Sequence, residues 1–277
     1  MISVEDFAPI VERALAEDLA DIGDISAAVI PETASSRAVV VARDAGVIAG
    51  LPVAAYVFNQ VDPTVEFTSI EDGTSVPAGT EIGWVAGSSR SILTAERTAL
   101  NLLGRMSGVA TATAHLVDAI AGTNTRITDT RKTMPGLRVL DKYAVTAGGG
   151  VNHRMGLYDE VMIKDNHIVA AGDLKAAVAA ARDAVGDVKV TVEVERLDQL
   201  AEALDTDADR VLLDNMDPAT LRQAVEMVDG RMETEASGGI TLETVREIAG
   251  TGVDFISVGW ITHSAPQLDI ALDFVEA

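Results

Sequence analysis

The chain has 277 residues, of which 43 are acidic and 21 basic, with 48% hydrophobic residues, 4% aromatics and no cysteine. This length supports one large domain or two smaller ones around a sizeable core, and the missing cysteine rules out disulfides, thiolate catalysis and zinc–sulfur sites together. A net charge of −22 argues against nucleic acid or an anionic membrane as partner, and no apolar run approaches the roughly 20 residues that span a bilayer.

The opening segment MISVEDFAPIVERALAEDLA is acidic and amphipathic and lacks a basic leader region. It reads as a helix over 4–18 rather than a signal peptide, so a cytoplasmic location is the default. Extended runs RAVVVARDAGVIAG, TVEFTSIEDG and TEIGWVAGSS follow, separated by the turn-rich VPAGT and by one helix, LPVAAYVFNQV. That mixture describes an α+β module with antiparallel strands. A long helical region, RSILTAERTALNLLGRMSGVATATAHLVDAIAG, comes next and is expected to break near Gly104 or at Ser107–Gly108.

From there the chain is periodic. Short apolar strands, RITDT, EVMIKD, VKVTVEVE, DRVLLDN, METEASGG and DFISVGW, alternate with helical patterns such as DLKAAVAAARDAV, RLDQLAEAL, PATLRQAVEMV and TLETVREIAG. Strand–helix alternation predicts βα units on a parallel sheet. Six strands ending in polar residues or glycine fit a closed or nearly closed barrel better than an open doubly wound sheet. No G-x-G-x-x-G follows the first strand, which weakens a dinucleotide-binding reading. The last segment, HSAPQLDIALDF, predicts a terminal helix with Ser264 as N-cap and Pro266 in its first turn.

Charge is distributed unevenly over this frame. All five lysines lie between 132 and 189, and residues 126–167 hold seven cations against five anions. A cationic island in so acidic a chain suggests an anion site kept basic by selection. Arg138 and Lys142, four apart with Asp141 beside them, instead suit a salt-bridged helix surface. Elsewhere the acid excess is spread along the chain and lysine is scarce. That pattern suits a salt-rich cytoplasm, where a hydrated carboxylate surface is screened; an ordinary acidic protein is the plainer alternative.

In a barrel the chemistry gathers at the C-terminal strand ends. There the chain places, in order, Asp129-Arg131-Lys132, Lys164-Asp165, Glu193 with Glu195, Asp214-Asn215, Ser237-Gly238-Gly239 and Gly259. In GGGVNHR, three glycines permit close backbone approach to a ligand, and Arg154 offers a planar fork suited to a carboxylate; a flexible loop is the alternative. Lys164 sits where a Schiff-base lysine could act, or it is a plain cation facing an anionic substrate, the reading its cationic neighbours favour. Glu193 and Asp214 end successive strands, where carboxylates hold Mg²⁺ alongside substrate phosphates, act as a general base, or pair with a local cation. EASGGI and SVGW suit a phosphate cradle formed by the backbone N–H groups of Ser237, Gly238, Gly239 and Gly259. His115 and His263 read as structural.

Together, AERTALNLLGRMSGVATAT, DTRKTMPGLRVLDKYAVTAGGGVNHRMGLYDEVMIKDNHI, VEVE, LLDNM, EASGGI and VDFISVGWITHS resemble the quinolinate phosphoribosyltransferase family across nearly the whole chain. The early ALAEDLADIGDIS resembles its N-terminal signature. The resemblance implies an α/β fold: an N-terminal α/β sandwich domain (1–108, with the C-terminal helix packed on it) and a C-terminal incomplete α/β barrel of about six strands (109–277) carrying the active site. It implies a homodimer whose partner caps each site. The implied reaction joins quinolinate and 5-phosphoribosyl-1-pyrophosphate to give nicotinate mononucleotide, pyrophosphate and CO₂, with Mg²⁺. By motif, Arg131, His153, Arg154 and Lys164 face the quinolinate carboxylates, and Arg97 reaches the same pocket from the partner subunit. Lys132 touches both substrates, Glu193 and Asp214 serve the Mg²⁺–ribose end, and Ser237, Gly238, Gly239 and Gly259 hold the 5′-phosphate. Two residues depart from the family pattern: bulky Trp260 directly after Gly259, and Thr146 where a larger residue is common. A related phosphoribosyltransferase acting on another pyridine or azole carboxylate, or an offshoot linked to molybdate uptake, is the alternative reading.

Overall fold

A computed structural model describes residues 2–275. The chain forms two compact units, one made of residues up to Ala114, Thr133–Gly149 and residues from Ile261 onward, the other of His115–Lys132 and Gly150–Trp260. In chain order, the first stretch contains α1 (Val4–Leu19), a 3₁₀ turn (Ile25–Val29), β1 (Ser35–Ala42), β2 (Gly46–Val47), α2 (Leu51–Val61), β3 (Glu66–Ser69), β4 (Ser75–Val76), β5 (Thr80–Ser88) and α3 (Ser89–Ala119). Then come β6 (Arg126–Thr128), α4 (Arg138–Ala147), β7 (Val161–Ile163), α5 (Asp165–Ala171), α6 (Leu174–Val185), β8 (Val190–Val194), α7 (Leu197–Ala203) and β9 (Arg210–Asp214). The chain ends with α8 (Pro218–Val228), β10 (Glu233–Ser237), α9 (Leu242–Ala249), β11 (Phe255–Ser257), α10 (Trp260–His263) and β12 (Ile270–Val275).

In the first unit an antiparallel sheet runs β12-β1-β5-β3. Val39, Val40 and Val41 of β1 are buried, as β-branched residues in a central strand should be. On α1, Phe7, Ile10 and Val11 form the buried stripe, and Phe7 meets Tyr56 of α2 edge-on at 5.3 Å. Asp72 accepts the N–H groups of Gly50 and Leu51 at the start of α2, together with the Tyr143 hydroxyl at 2.8 Å. Burial, with this hydrogen bond and the Asp72 charge, holds the Tyr143 phenol protonated far above its ordinary range.

Three expectations fail in this unit, each for a packing reason. The terminal helix is not formed. Residues 270–275 instead pair with β1 in the register Ala42↔Ile270 to Arg37↔Val275. Without them β1 would expose an open edge, and Arg43 clamps the new strand through both oxygens of Asp273, each at 2.7 Å. The expected break in α3 is absent as well, since Ser89–Ala119 is one helix. Its glycines accommodate close approach: a Cβ on Gly108 would collide with the Pro266 carbonyl, and the Gly104 carbonyl accepts the Leu268 N–H at 3.0 Å. Finally, Asp141 and Lys142 are buried rather than on a helix surface. Asp141 takes both Arg105 Nε and Nη2 at 3.0 Å, plus the Met134 N–H at 3.1 Å. Burial nevertheless raises its pKa above the ordinary aspartate value, against the pull of Arg105.

The second unit holds a six-stranded parallel sheet in the order β6-β11-β10-β9-β8-β7. Its end strands β6 and β7 are not paired with each other among the described residues, so the barrel is incomplete. One side of each strand is apolar and packed: Val190, Val192, Val194, Val211, Leu213 and Ile256 are buried. The alternate residues turn inward, and many of them are charged.

Candidate active site

A cavity of about 400 Å³ opens at the C-terminal ends of these strands, where a parallel barrel places its chemistry. Its wall draws on Thr130, Arg131 and Lys132 after β6, His153 and Arg154 before β7, and Lys164 after β7. Glu193, Asp214 and Ser237 at the ends of β8, β9 and β10, with Met162, Leu212, Glu235 and Ser257, complete that wall. Period-two alternation explains the set, because Glu193 lies two residues beyond Thr191, Asp214 two beyond Leu212 and Ser237 two beyond Glu235.

One side of the cavity is cationic. The Lys132 N–H binds the Thr130 hydroxyl at 3.0 Å, and the Thr133 hydroxyl accepts Arg138 Nε at 3.0 Å, so both threonines of the motif brace their turn. Arg154 is held by its own guanidinium: Nη1 donates to the Glu160 carbonyl at 3.0 Å, and Nη2 approaches the Met162 sulfur at 3.6 Å. Burial and the neighbouring Arg131 charge lower the pKa of Arg154, while the Glu160 and Asp159 carboxylates partly offset them.

The opposite side carries oxygen ligands. Lys164 Nζ is ion-paired with Glu193 across adjacent strands, its side chain 43% exposed. Asp214 accepts Asn215 Nδ2 at 2.7 Å. Past β10, Gly238 adopts φ +100°, and a Cβ there would meet Asn215 Cγ at 2.7 Å, so the position requires glycine twice over. Gly239 is also left-handed, with φ +59°. Gly259 follows β11 and is succeeded by Trp260, whose indole N–H donates to the Ile240 carbonyl at 3.1 Å. The bulky residue that departs from the family pattern therefore braces the loop following the Gly238–Gly239 pair.

From Glu235 and His153, which line the cavity, a buried polar layer runs inward. Glu235 is fully buried and accepts Arg210 Nη1 at 2.9 Å, while its Oε2 lies 3.3 Å from His153 Nε2. Arg210 also pairs with Glu233 at 2.8 Å, which Lys189 joins, and it stacks on the Phe255 ring at 4.0 Å. Arg126 stacks on the same ring at 4.2 Å. His153 donates its own N–H to Asp129 Oδ1 at 2.9 Å, and its Nδ1 accepts the Arg154 N–H at 2.7 Å. Glu160, also buried, accepts the Thr191 hydroxyl at 2.6 Å.

The cavity thus unites Arg131, Lys132, His153, Arg154, Lys164, Glu193, Asp214 and Ser237. Gly238, Gly239 and Gly259 stand at the adjoining strand ends without lining it. Arg97 belongs to the other unit, on α3, with its side chain 68% exposed beside Ile25, Val29 and Leu93. His115 and His263 are exposed and outside the cavity. The glycine run 148–150 serves packing more than ligand approach: a Cβ on Gly148 would strike the Ala110 carbonyl, and Gly149 is the left-handed residue that ends α4. Sequence reasoning passed over Glu235, Arg210 and Glu160. The available signal was a charge at or beside each of β7, β9 and β10, where buried charges call for partners inside the barrel.

Among the described residues no group of three or more His, Asp or Glu is placed to hold a metal ion. Glu193 and Asp214 both line the cavity, the first paired with Lys164 and the second accepting Asn215 Nδ2, so a hard cation there would have to bring its remaining oxygen ligands with a phosphate substrate. No helix among the described residues is long and apolar enough to cross a membrane.

The family model for the quinolinate phosphoribosyl transferase N-terminal domain matches residues 24–107, and that for the C-terminal domain matches residues 109–273. The chain is 43% identical to quinolinate phosphoribosyltransferase [decarboxylating] 1 of Nicotiana glauca, covering 96% of this chain and 82% of that protein. It is 44% identical to the probable nicotinate-nucleotide pyrophosphorylase [carboxylating] of Bacillus subtilis, over 91% of this chain and 88% of the relative. Its fold superposes on the nicotinate-nucleotide pyrophosphorylase of Francisella tularensis with a TM-score of 0.96, at 40% identity, covering 99% and 98% of the two chains.

Proposed function

The chain belongs to the quinolinate phosphoribosyl transferase family, and on that premise we propose that it transfers phosphoribose from 5-phosphoribosyl-1-pyrophosphate to quinolinate with decarboxylation. The products are nicotinate mononucleotide, pyrophosphate and CO₂. The observation that carries this reading is the cluster of Arg131, Lys132, Arg154 and Lys164 at one cavity inside a chain of net charge −22.

Quinolinate is a dianion, and the donor carries several further charges. The guanidinium fork of Arg154 suits one carboxylate, and Arg131 and Lys164 supply the neutralising charge for both. Lys132, in the same turn as Arg131, lies between the pyridine and the pyrophosphate. Glu193 and Asp214 face the ribose end, where they would hold a Mg²⁺ brought by the donor, which would supply positive charge to the pyrophosphate. The loop around Gly238 and Gly239 directs backbone N–H groups at the 5′-phosphate. With both substrates held in line, the ring nitrogen attacks C1′ as the C1′–O bond to pyrophosphate breaks, through an oxocarbenium-like state. The protein acts mostly by positioning and fixed charge. When the C2–carboxylate bond then breaks, its electron pair stays on C2 as an ylide stabilised by the adjacent positive ring nitrogen, and a proton from solvent takes the place of CO₂ there. Pairing with Glu193 favours Lys164 as a binding cation over a Schiff-base nucleophile.

The highly exposed Ile25 and Val29, in the same hollow as Arg97, support a homodimer in which Arg97 enters the partner subunit's pocket. The spread of carboxylates supports adaptation to a salt-rich cytoplasm.

Incubation with quinolinate, the phosphoribosyl donor and Mg²⁺ should yield nicotinate mononucleotide and CO₂. Arg154→Ala should abolish that turnover. Turnover that survives Arg154→Ala, with nicotinate as the better substrate, would move the assignment to a related phosphoribosyltransferase.

A further inference from the structure

Trp260 has no task in the chemistry proposed above and lies outside the cavity lining, yet it holds one piece of the surrounding backbone. The loop between β10 and α9 takes two left-handed residues in a row, Gly238 at φ +100° and Gly239 at φ +59°. Among the described residues, the N–H groups of Gly238, Gly239 and Ile240 donate to no protein group. Three successive donors of this kind, leading into the N-terminus of α9, suit an anion. Glycine, however, has more backbone freedom to lose than any other residue. An untethered glycine pair would spread its N–H groups over many directions.

The loop is tethered on both sides of that pair. On the β10 side, the Asn215 N–H donates to the Ser237 carbonyl at 2.9 Å. Asn215 also packs so close that a Cβ on Gly238 would lie 2.1 Å from its Oδ1. On the α9 side, the Trp260 indole N–H donates to the Ile240 carbonyl at 3.1 Å. Ile240 is buried, and the next residue, Thr241, is the N-cap of α9, its N–H bonded to the Thr244 hydroxyl at 3.0 Å. The indole reaches this carbonyl because β11 runs beside β10, with Ile256 opposite Ala236. The chain leaving β11 therefore passes the loop leaving β10. Gly239 stands between the two tethers with open space on the side where a Cβ would be. Indole suits the task, being a donor only, on a side chain with few rotatable bonds.

We propose that Trp260 is a positioning residue for the phosphoribosyl donor: by pinning the Ile240 carbonyl, it holds the Gly238–Gly239 turn in the conformation that aims three backbone N–H groups at the 5′-phosphate. This rests on the reading of that loop as the phosphate cradle. Donors fixed before the ligand arrives need no ordering on binding, so the tether acts on affinity. Its effect is confined to one end of one substrate, because Arg131 and Lys164 at the quinolinate end follow β6 and β7.

Ribose 5-phosphate, which carries the 5′-phosphate without the pyrophosphate, isolates that end. Trp260→Phe keeps an aromatic ring and removes the N–H. Calorimetric titration of this variant should show ribose 5-phosphate affinity lowered by about fivefold to a hundredfold, the range for orphaning a buried acceptor. The KM for the full donor should rise with it, and quinolinate affinity should stay at the wild-type value. Unchanged ribose 5-phosphate affinity overturns the proposal, as does an equal loss for quinolinate, the mark of a general defect in the fold. NMR reads the tether directly in the wild type. The chain has two tryptophans, so ¹⁵N-tryptophan protein gives two indole N–H signals, and the one that survives in Trp84→Phe belongs to Trp260. That signal should exchange slowly with solvent and shift when ribose 5-phosphate is added. A rapidly exchanging signal, or one that ribose 5-phosphate leaves in place, overturns the proposal even if Trp260→Phe fails to fold. Wild-type protein that binds no ribose 5-phosphate sinks the cradle reading and the proposal with it, whereas equal binding by wild type and variant sinks the proposal alone.

Discussion

Lys164 and Glu193, from the ends of neighbouring strands β7 and β8, form an ion pair at the mouth of the cavity. Each is thereby held near the place where a substrate group would replace the other. Lys164→Met should cut kcat/KM for quinolinate by about tenfold to a hundredfold, the equivalent of about 1.5–3 kcal/mol for a charge-assisted hydrogen bond. Steady-state kinetics with quinolinate varied at saturating donor check this. A Met variant with wild-type kcat/KM would remove Lys164 from the binding set. Borohydride treatment should trap no adduct in the wild type.

Gly238 combines φ +100° with close approach to Asn215. Gly238→Ala should strain the loop by on the order of 1–3 kcal/mol and disturb the N–H groups aimed at the 5′-phosphate. Calorimetric titration with the phosphoribosyl donor should show markedly weaker binding, with quinolinate affinity intact. Equal weakening for both ligands would point to general misfolding of the site instead.

The buried pair Arg105–Asp141 ties α3 to α4 within the first unit. Asp141→Ala leaves the guanidinium uncompensated and should cost about 3–5 kcal/mol, the usual penalty for orphaning a buried charge. Urea denaturation at fixed salt measures it. A loss below about 1 kcal/mol would mean that Arg105 finds solvent or another acceptor.

Acid should weaken the barrel floor in a way traceable to Glu235. Its pKa is depressed in the folded state below the ordinary glutamate value of 4.5 by His153 and Arg210, against burial. Its stabilisation is therefore fully present above pH 4.5 and lost as pH falls through the lower folded value. The stability gap between wild type and Glu235→Gln should be widest above pH 4.5 and narrow below it. Melting temperatures across an acid series decide the sign; a gap that widens on acidification contradicts it.

Salt offers a separate test of composition. If the acidic surface is an adaptation, raising KCl from about 0.1 M to molar levels should raise both the melting temperature and kcat, because screening shortens the reach of carboxylate repulsion from about 10 Å to about 3 Å. An activity optimum at the low-salt end argues for an ordinary acidic protein.

The sequence alone determined the class of chemistry. Its βα periodicity required a parallel sheet, a parallel sheet puts ligands at strand ends, and the cations at 131, 132, 154 and 164 in an acidic chain required an anion there. Those are local or compositional signals, and they survive folding unchanged. What lay beyond them depended on partners distant in sequence. Of a segment patterned like a helix, 263–274, the part from Ile270 onward became a strand because β1 needed an edge partner. Glycines expected to interrupt α3 instead admit the 266–268 backbone. Lys142 and Asp141, spaced like surface ion-pair residues, turned inward. Glu235, Arg210 and Glu160 look like ordinary strand charges until the barrel curls and points them at one another. Only that closure, which sets residues 153, 210 and 235 side by side, decided that the cationic rim of this site rests on a buried, mutually neutralised polar floor.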